Sequence, residues 1–135
     1  MQDEHEGKVP INSEGDLVIA RKTLRDTATT MGFGVTDVTR IVTAASELTR
    51  NVLRYASSGV MHWRIVNSGG NVGLELRFED HGPGIPDIEQ AMELGYTTGG
   101  GLGMGLPGAK RLMDEMEIES EVGKGTRITV KKWRR

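Results

Sequence analysis

The apolar positions of this chain change period several times, and each change marks an element. From Glu14 to Met31, the residues Leu17, Leu24, Ala28 and Met31 recur at helical spacing. Ser13 offers an N-cap, Glu14 and Asp16 place acid in the first turn, and Gly32-Phe33-Gly34 ends the helix. Ahead of it, residues Met1 to Gly7 read as a frayed start. Lys8 to Asn12 read as a short strand that Pro10 confines to an edge. A second helix is expected to start with Thr36 as cap and Asp37 in its first turn, with Val38, Ile41, Val42, Ala45, Leu48, Val52 and Tyr55 on one apolar face.

The period then shortens. Gly59 to Val66 and Val72 to Asp80 read as strands; Val72, Leu74, Leu76 and Phe78 alternate with polar residues, as in a sheet with one covered face. Ser68-Gly69-Gly70-Asn71 supplies the hairpin turn. Asp87 to Leu94 is a short helix behind Pro86, and Leu106, Ala109, Leu112, Met113 and Met116 mark a further one. Glu117 to Ser120 and Thr126 to Trp133 form a closing hairpin around Val122-Gly123-Lys124-Gly125. This order predicts a single-domain α/β sandwich over residues 1–135: one mixed, largely antiparallel sheet with helices on one face.

Composition narrows the function. With no cysteine, a disulfide scaffold, cysteine-ligated zinc and thiol catalysis are excluded. A net charge of −2, with both signs interspersed, gives no support for nucleic-acid binding, and the basic end Lys131 to Arg135 reads as a solvated strand end and tail. No apolar run approaches membrane-spanning length, and the polar start is neither signal nor transit peptide, so a soluble cytoplasmic protein is expected.

The chemistry gathers between Asp80 and Gly108. Five of the seven residues from Gly99 to Gly105 are glycine, and a helix follows. Backbone N–H groups leading into a helix start suit anions, phosphate above all. Gly103 to Gly108 satisfies the dinucleotide pattern G-x-G-x-x-G, but it follows a loop rather than a buried strand. The Walker A pattern fails because Ala109 stands where lysine is required, with Lys110 one position late. On the second helix, Glu47 and Asn51 are four apart and lie on one stripe bordering the apolar face, a position that also suits a solvated polar pair.

Four segments occur in order: Glu47-Leu48-Thr49-Arg50-Asn51, Asp80-His81-Gly82-Pro83-Gly84, Gly101 to Leu106, and Gly123-Lys124-Gly125-Thr126. In order and spacing they resemble the N, G1, G2 and G3 boxes of the Bergerat-fold (GHKL) ATPases and kinases. The resemblance covers nearly the whole chain and implies ATP and Mg²⁺ as ligands.

It also implies roles. The Asp80 carboxylate would accept from the adenine exocyclic amine, where guanine offers only a carbonyl oxygen. Gly82, Gly84 and Ile85 would border the base. Asn51 would offer its amide oxygen to Mg²⁺. Thr98, Gly99, Gly100, Gly101, Leu102, Gly103, Met104, Gly105 and Leu106 would surround the phosphates, and Thr126 would reach the base through its hydroxyl or a water. Glu47 would be the catalytic base, while Lys110 and Arg111 read as solvated charges.

The chain is too short for the coupling domains of the gyrase, Hsp90 and MutL branches. His5, His62 and His81 do not fit a histidine-kinase phosphoacceptor. What remains resembles the serine/threonine kinases of bacterial partner switching, above all the RsbT stressosome switch family; the short glycine segment lacks the longer charged lid of anti-sigma kinases. That resemblance implies phosphorylation of STAS-domain proteins (RsbS- and RsbR-like), activation of a PP2C-type phosphatase (RsbU-like), and a partner-facing Arg21. An anti-sigma factor kinase, and a non-catalytic nucleotide sensor, are the alternatives.

Overall fold

The computed structural model describes residues 5–92 and 105–135. The chain opens with β1 (Glu6–Ile11), then two long helices, α1 (Glu14–Met31) and α2 (Val35–Tyr55). The hairpin β2 (Gly59–Ser68) and β3 (Asn71–Asp80) follows, then the short α3 (Ile88–Ala91) and α4 (Gly105–Leu112). A second hairpin, β4 (Glu115–Glu121) and β5 (Gly125–Trp133), closes the order.

The five strands form one sheet in the order β1-β2-β3-β5-β4. Every pairing among the described residues is antiparallel, so the expected mixed sheet is antiparallel throughout. β1 is an edge, as Pro10 requires. β5 returns between β3 and β4, which leaves β4 as the other edge.

Strand alternation sorts the side chains. Val9, Ile11, Met61, Leu74, Leu76, Phe78, Ile128 and Val130 turn to one face and are buried there against the helices. From the helices, Leu24, Ala28, Ile41, Ala45 and Leu48 meet them. Each large apolar side chain buried in this layer contributes about 1.5–3 kcal/mol. The opposite face is a lattice of polar contacts: Arg64 pairs with Glu75 at 2.6 Å and Arg127 with both Glu79 and Glu119, while the His62 imidazole lies 3.3 Å from Glu79. In the opposite-sign pairs charges meet directly or diagonally across strands, which suits a solvated sheet face.

α1 keeps the expected limits because both ends are specified. The Asp16 carboxylate accepts from the Asn12 and Ser13 N–H groups at 2.7 and 3.1 Å, and Gly32 closes the helix in the left-handed region. α2 departs from expectation at its start: the cap is Gly34, not Thr36, and the helix begins at Val35. Its apolar face is buried from Val38 to Val52, whereas Tyr55 is half exposed. α4 stops at Leu112, and Met116 belongs to β4 rather than to a longer helix. Lys132 holds the chain there. It donates to the Leu112 carbonyl at 3.0 Å and lies 3.5 Å from Asp114 and 3.8 Å from Asp37.

Candidate functional site

One row of residues crosses the sheet at the end where the candidate chemistry lies. The register pairs Ile11 with Gly59, Gly59 with Asp80, Asp80 with Thr126, and Thr126 with Ser120. By alternation these residues share the helix-covered face. Two residues predicted from separate motifs, Asp80 and Thr126, are therefore direct cross-strand partners.

α2 reaches the same place. A Cβ added to Gly59 would stand 2.8 Å from a Val52 methyl and 3.3 Å from the Asp80 Cβ, so the turn carrying Asn51 and Val52 lies over the strand end. At Gly82, an added Cβ would stand 2.6 Å from the Ala56 Cβ at the C-terminus of α2. Glu47 and Asn51 lie one turn apart on that helix, and both are partly exposed. The Glu47 carboxylate lies 3.5 Å from the Arg50 guanidinium.

The turn after β3 is held by three bonds. The Asp80 Oδ1 accepts from the Gly82 N–H at 2.9 Å, an Asx turn that orients the carboxylate. The Gly123 N–H donates to the Pro83 carbonyl at 2.8 Å, tying the turn to the β4–β5 hairpin. The Ile85 N–H donates to the Ser120 hydroxyl at 2.7 Å. That hydroxyl is also 2.8 Å from Thr126 Oγ1 and 3.1 Å from the Gly125 carbonyl. The close approach that glycine permits in this turn is thus to the protein itself, to Ala56 at Gly82 and to Glu121 and Val122 at Gly84. A depression of about 400 Å³ opens at this end, with Asp80, Ser120, Gly125 and Thr126 in its wall. A larger hollow of about 490 Å³ near β1 is walled by Arg64 and Glu75, which pair with each other, and by Glu6, Lys8 and Arg77.

The remaining predicted residues divide. Gly105 begins α4 and Leu106 is buried in the core, which leaves its backbone rather than its side chain toward a ligand. α4 packs against α2. Thr98, Gly99, Gly100, Gly101, Leu102, Gly103 and Met104 lie outside the described residues. Arg21 stands apart from the row, on α1: its Nε donates to the Ser46 hydroxyl at 2.8 Å, and Ser46 in turn donates to the Val42 carbonyl at 2.8 Å. It is therefore anchored to α2 one residue before Glu47. Ile11, Gly59 and Ser120 are the three members of the row that sequence reasoning passed over, and of these Ser120 carries a functional side chain. The signal lies in the three-residue turn Val122-Gly123-Lys124, which pairs Glu121 with Gly125 and so places Ser120 opposite Thr126.

The residues fit a purine nucleotide. Among the described residues Asp80 accepts a hydrogen bond from Gly82, and a carboxylate has lone pairs for more. Asn51 supplies an oxygen of the kind magnesium takes. No group of three or more His, Cys, Asp or Glu among the described residues makes a metal cage, and no helix among them is long and apolar enough to cross a membrane.

Comparison with known proteins agrees with this geometry. The family model for histidine kinase-, DNA gyrase B- and HSP90-like ATPases matches residues 36–135. The chain is 50% identical over 127 residues to the serine/threonine-protein kinase RsbT of Bacillus subtilis, covering 94% of this chain and 96% of that protein. It is 37% identical to the anti-sigma F factor of Geobacillus stearothermophilus, over 71% of this chain and 69% of that one. Among solved structures it resembles the RsbU and RsbW domains of a Mycobacterium tuberculosis protein, with a TM-score of 0.60 at 21% identity. That likeness covers 96% of this chain and 33% of the other, and it bears on the fold. The chain belongs to the histidine kinase-, DNA gyrase B- and HSP90-like ATPase family and, within it, to the serine/threonine-protein kinases of the RsbT kind.

Proposed function

We propose that this chain transfers the γ-phosphoryl group of ATP to a serine or threonine hydroxyl on a STAS-domain protein within a partner-switching system. The observation that carries this reading is the convergence at one sheet end of Asp80, paired with Thr126, and the α2 turn that bears Asn51. Asp80 accepts from the adenine amine, and the Asx turn with Gly82 fixes its direction. Gly84 and Ile85 border the base. Gly105 and the start of α4 face the phosphates, where N–H groups and the positive helix end offset negative charge, and the family resemblance gives Thr98 to Met104 a phosphate-binding role as well.

Phosphoryl transfer is chiefly positioning and charge neutralisation. Asn51 would hold magnesium, which would supply part of that neutralisation. Glu47, one turn away, accepts the proton of the incoming hydroxyl. Its neighbour Ser46 anchors Arg21, which places a partly exposed guanidinium beside the catalytic turn, where an acceptor protein would dock. Release of the kinase from its STAS partner then frees it to bind and activate a PP2C-type phosphatase. The anti-sigma alternative has less support, because those relatives match a smaller share of the chain at lower identity.

The test is transfer of labelled phosphate from ATP to a purified STAS partner. Label on Ser or Thr, lost in Glu47→Gln and Asn51→Ala proteins that still fold, supports the kinase. Nucleotide binding with no transfer to any STAS partner overturns it.

A further inference from the structure

Ser120 sits where three groups compete for one hydroxyl. Its oxygen lies 2.7 Å from the Ile85 nitrogen, 3.1 Å from the Gly125 carbonyl oxygen and 2.8 Å from Thr126 Oγ1. A hydroxyl has one proton to donate and two lone pairs with which to accept. The Ile85 N–H can only donate, so it occupies one lone pair. The Gly125 carbonyl can only accept, so it takes the Ser120 proton. What is left for Thr126 is the second lone pair, and Thr126 must donate into it. This is the one arrangement that satisfies all three neighbours; turning the Ser120 proton toward Thr126 deprives the Gly125 carbonyl of its partner. An unmade bond of this kind leaves a donor or acceptor without the partner it had in water, which disfavours that arrangement.

We infer that Ser120 is a positioning residue for base recognition: it orients the Thr126 hydroxyl so that only lone pairs face the nucleotide. This rests on the nucleotide reading of the Asp80 end. Asp80, the register partner of Thr126, is also an acceptor when ionised. Two neighbouring acceptors favour a base that presents an amine and penalise one that presents a carbonyl oxygen. Adenine carries the amine and hypoxanthine the carbonyl at the same ring position, so inosine nucleotides probe this one difference. The same hydroxyl also ties the Ile85 turn to the β4–β5 hairpin, so Ser120 fixes both the wall of the base site and its polarity.

The experiment compares ADP and IDP dissociation constants, by calorimetry, for the full chain and for Ser120→Ala, Ser120→Thr and Thr126→Val. The natural sequence should prefer ADP. Ser120→Ala frees the Thr126 proton to point at the ligand, so ADP binding should weaken about tenfold while IDP binding changes little, and the ADP/IDP ratio should shrink by a similar factor. Ser120→Thr keeps a hydroxyl and should restore the ratio. With ATP and a protein acceptor, KM should rise and kcat should hold, because the phosphate end is untouched. Equal loss of ADP and IDP in Ser120→Ala would show a structural prop only and overturn the inference. Should Ser120→Ala fail to fold, Thr126→Val decides, since it removes the oriented hydroxyl yet leaves the Ile85 and Gly125 bonds in place. An unchanged ratio there also overturns it. If the natural sequence binds neither nucleotide, the nucleotide reading falls along with this one, an outcome distinct from ADP binding without discrimination by Ser120.

Discussion

Gly84 and Gly123 have nearly the same backbone, with φ of +81° and +84°, but different surroundings. Around Gly123 there is nothing within 4 Å of an added Cβ. At Gly84 the same atom would press on the Glu121 carbonyl group, 2.8 Å from its carbon, and stand 3.0 Å from Val122 Cα. These neighbours are backbone and cannot rotate away. Alanine at either position incurs the left-handed strain of about 1–2 kcal/mol. Only Gly84→Ala adds an overpacking cost, about 1–3 kcal/mol more. For a chain of this size each kcal/mol moves the melting temperature by about 3–5 °C, so Gly84→Ala should melt about 3–15 °C below Gly123→Ala. The assay is thermal unfolding followed by circular dichroism without nucleotide. Equal melting temperatures would refute the reasoning. They would mean that the glycine turn yields to the hairpin at no cost and that its glycines serve the ligand alone.

Two further outcomes test the site and its frame. Asp80→Asn keeps an oxygen for the Gly82 N–H but can turn its NH2 group toward the adenine amine; a lost charge-assisted bond of about 1.5–3 kcal/mol should weaken ADP binding about 10- to 150-fold, with little change in melting. Burial works to raise the Asp114 carboxyl, but the Trp133 backbone N–H at 2.8 Å and the charges of Lys132 and Arg135 outweigh it and hold the group below the usual carboxylate range. A depressed carboxylate stabilises the fold above its unfolded pKa, about 3.9, and that contribution is lost as pH falls through the lower folded value. Urea unfolding should therefore show Asp114→Asn less stable than the natural sequence at neutral pH, with the gap closing below about pH 4. A gap that widens in acid would reverse the assignment.

What the sequence made legible follows from where local signals are complete. α1 ran as expected from Glu14 to Met31 because a capping box and a glycine stop mark its ends. α2 was misplaced by two residues because its cap, Gly34, has no side chain to announce it, whereas Thr36 resembles a cap and lies inside the helix. Met113 and Met116 are spaced for a helix, yet Met116, Ile118 and Ser120 are equally spaced for a strand. Lys132, 20 residues beyond Leu112, settles the choice by bonding to its carbonyl, and no local window contains that contact. At the site, the motifs delivered Asp80 and Thr126 separately, and only sheet register made them partners. Ser120 carried no motif at all; a serine at a strand end is common, and its three contacts come from two other segments, the Ile85 turn and the start of β5.

The two ends of the candidate site are built to different specifications, and this has a kinetic consequence. At the base end, Asp80 is fixed by Gly82, Pro83 by Gly123, and Ile85 by Ser120, all through bonds within the protein. A pocket braced by its own bonds loses little freedom when a base enters, so its contacts appear largely as affinity and selectivity. Glu47 and Asn51 stand on α2, whose buried face from Val38 to Val52 makes it part of the core rather than of the turn. Disturbing Ser120 or Gly84 should leave that helix in place, and disturbing Glu47 should leave the base end in place. On the kinase reading, variants of the turn and hairpin should therefore act on KM for ATP, and Glu47→Gln on kcat. On the same reading, the mounting of Arg21 on Ser46, beside Glu47, would put the protein acceptor on the α2 side of this division. Arg21→Ala should then raise KM for the protein acceptor without altering ADP affinity. Parallel loss of both would mean that the two ends are coupled through α2.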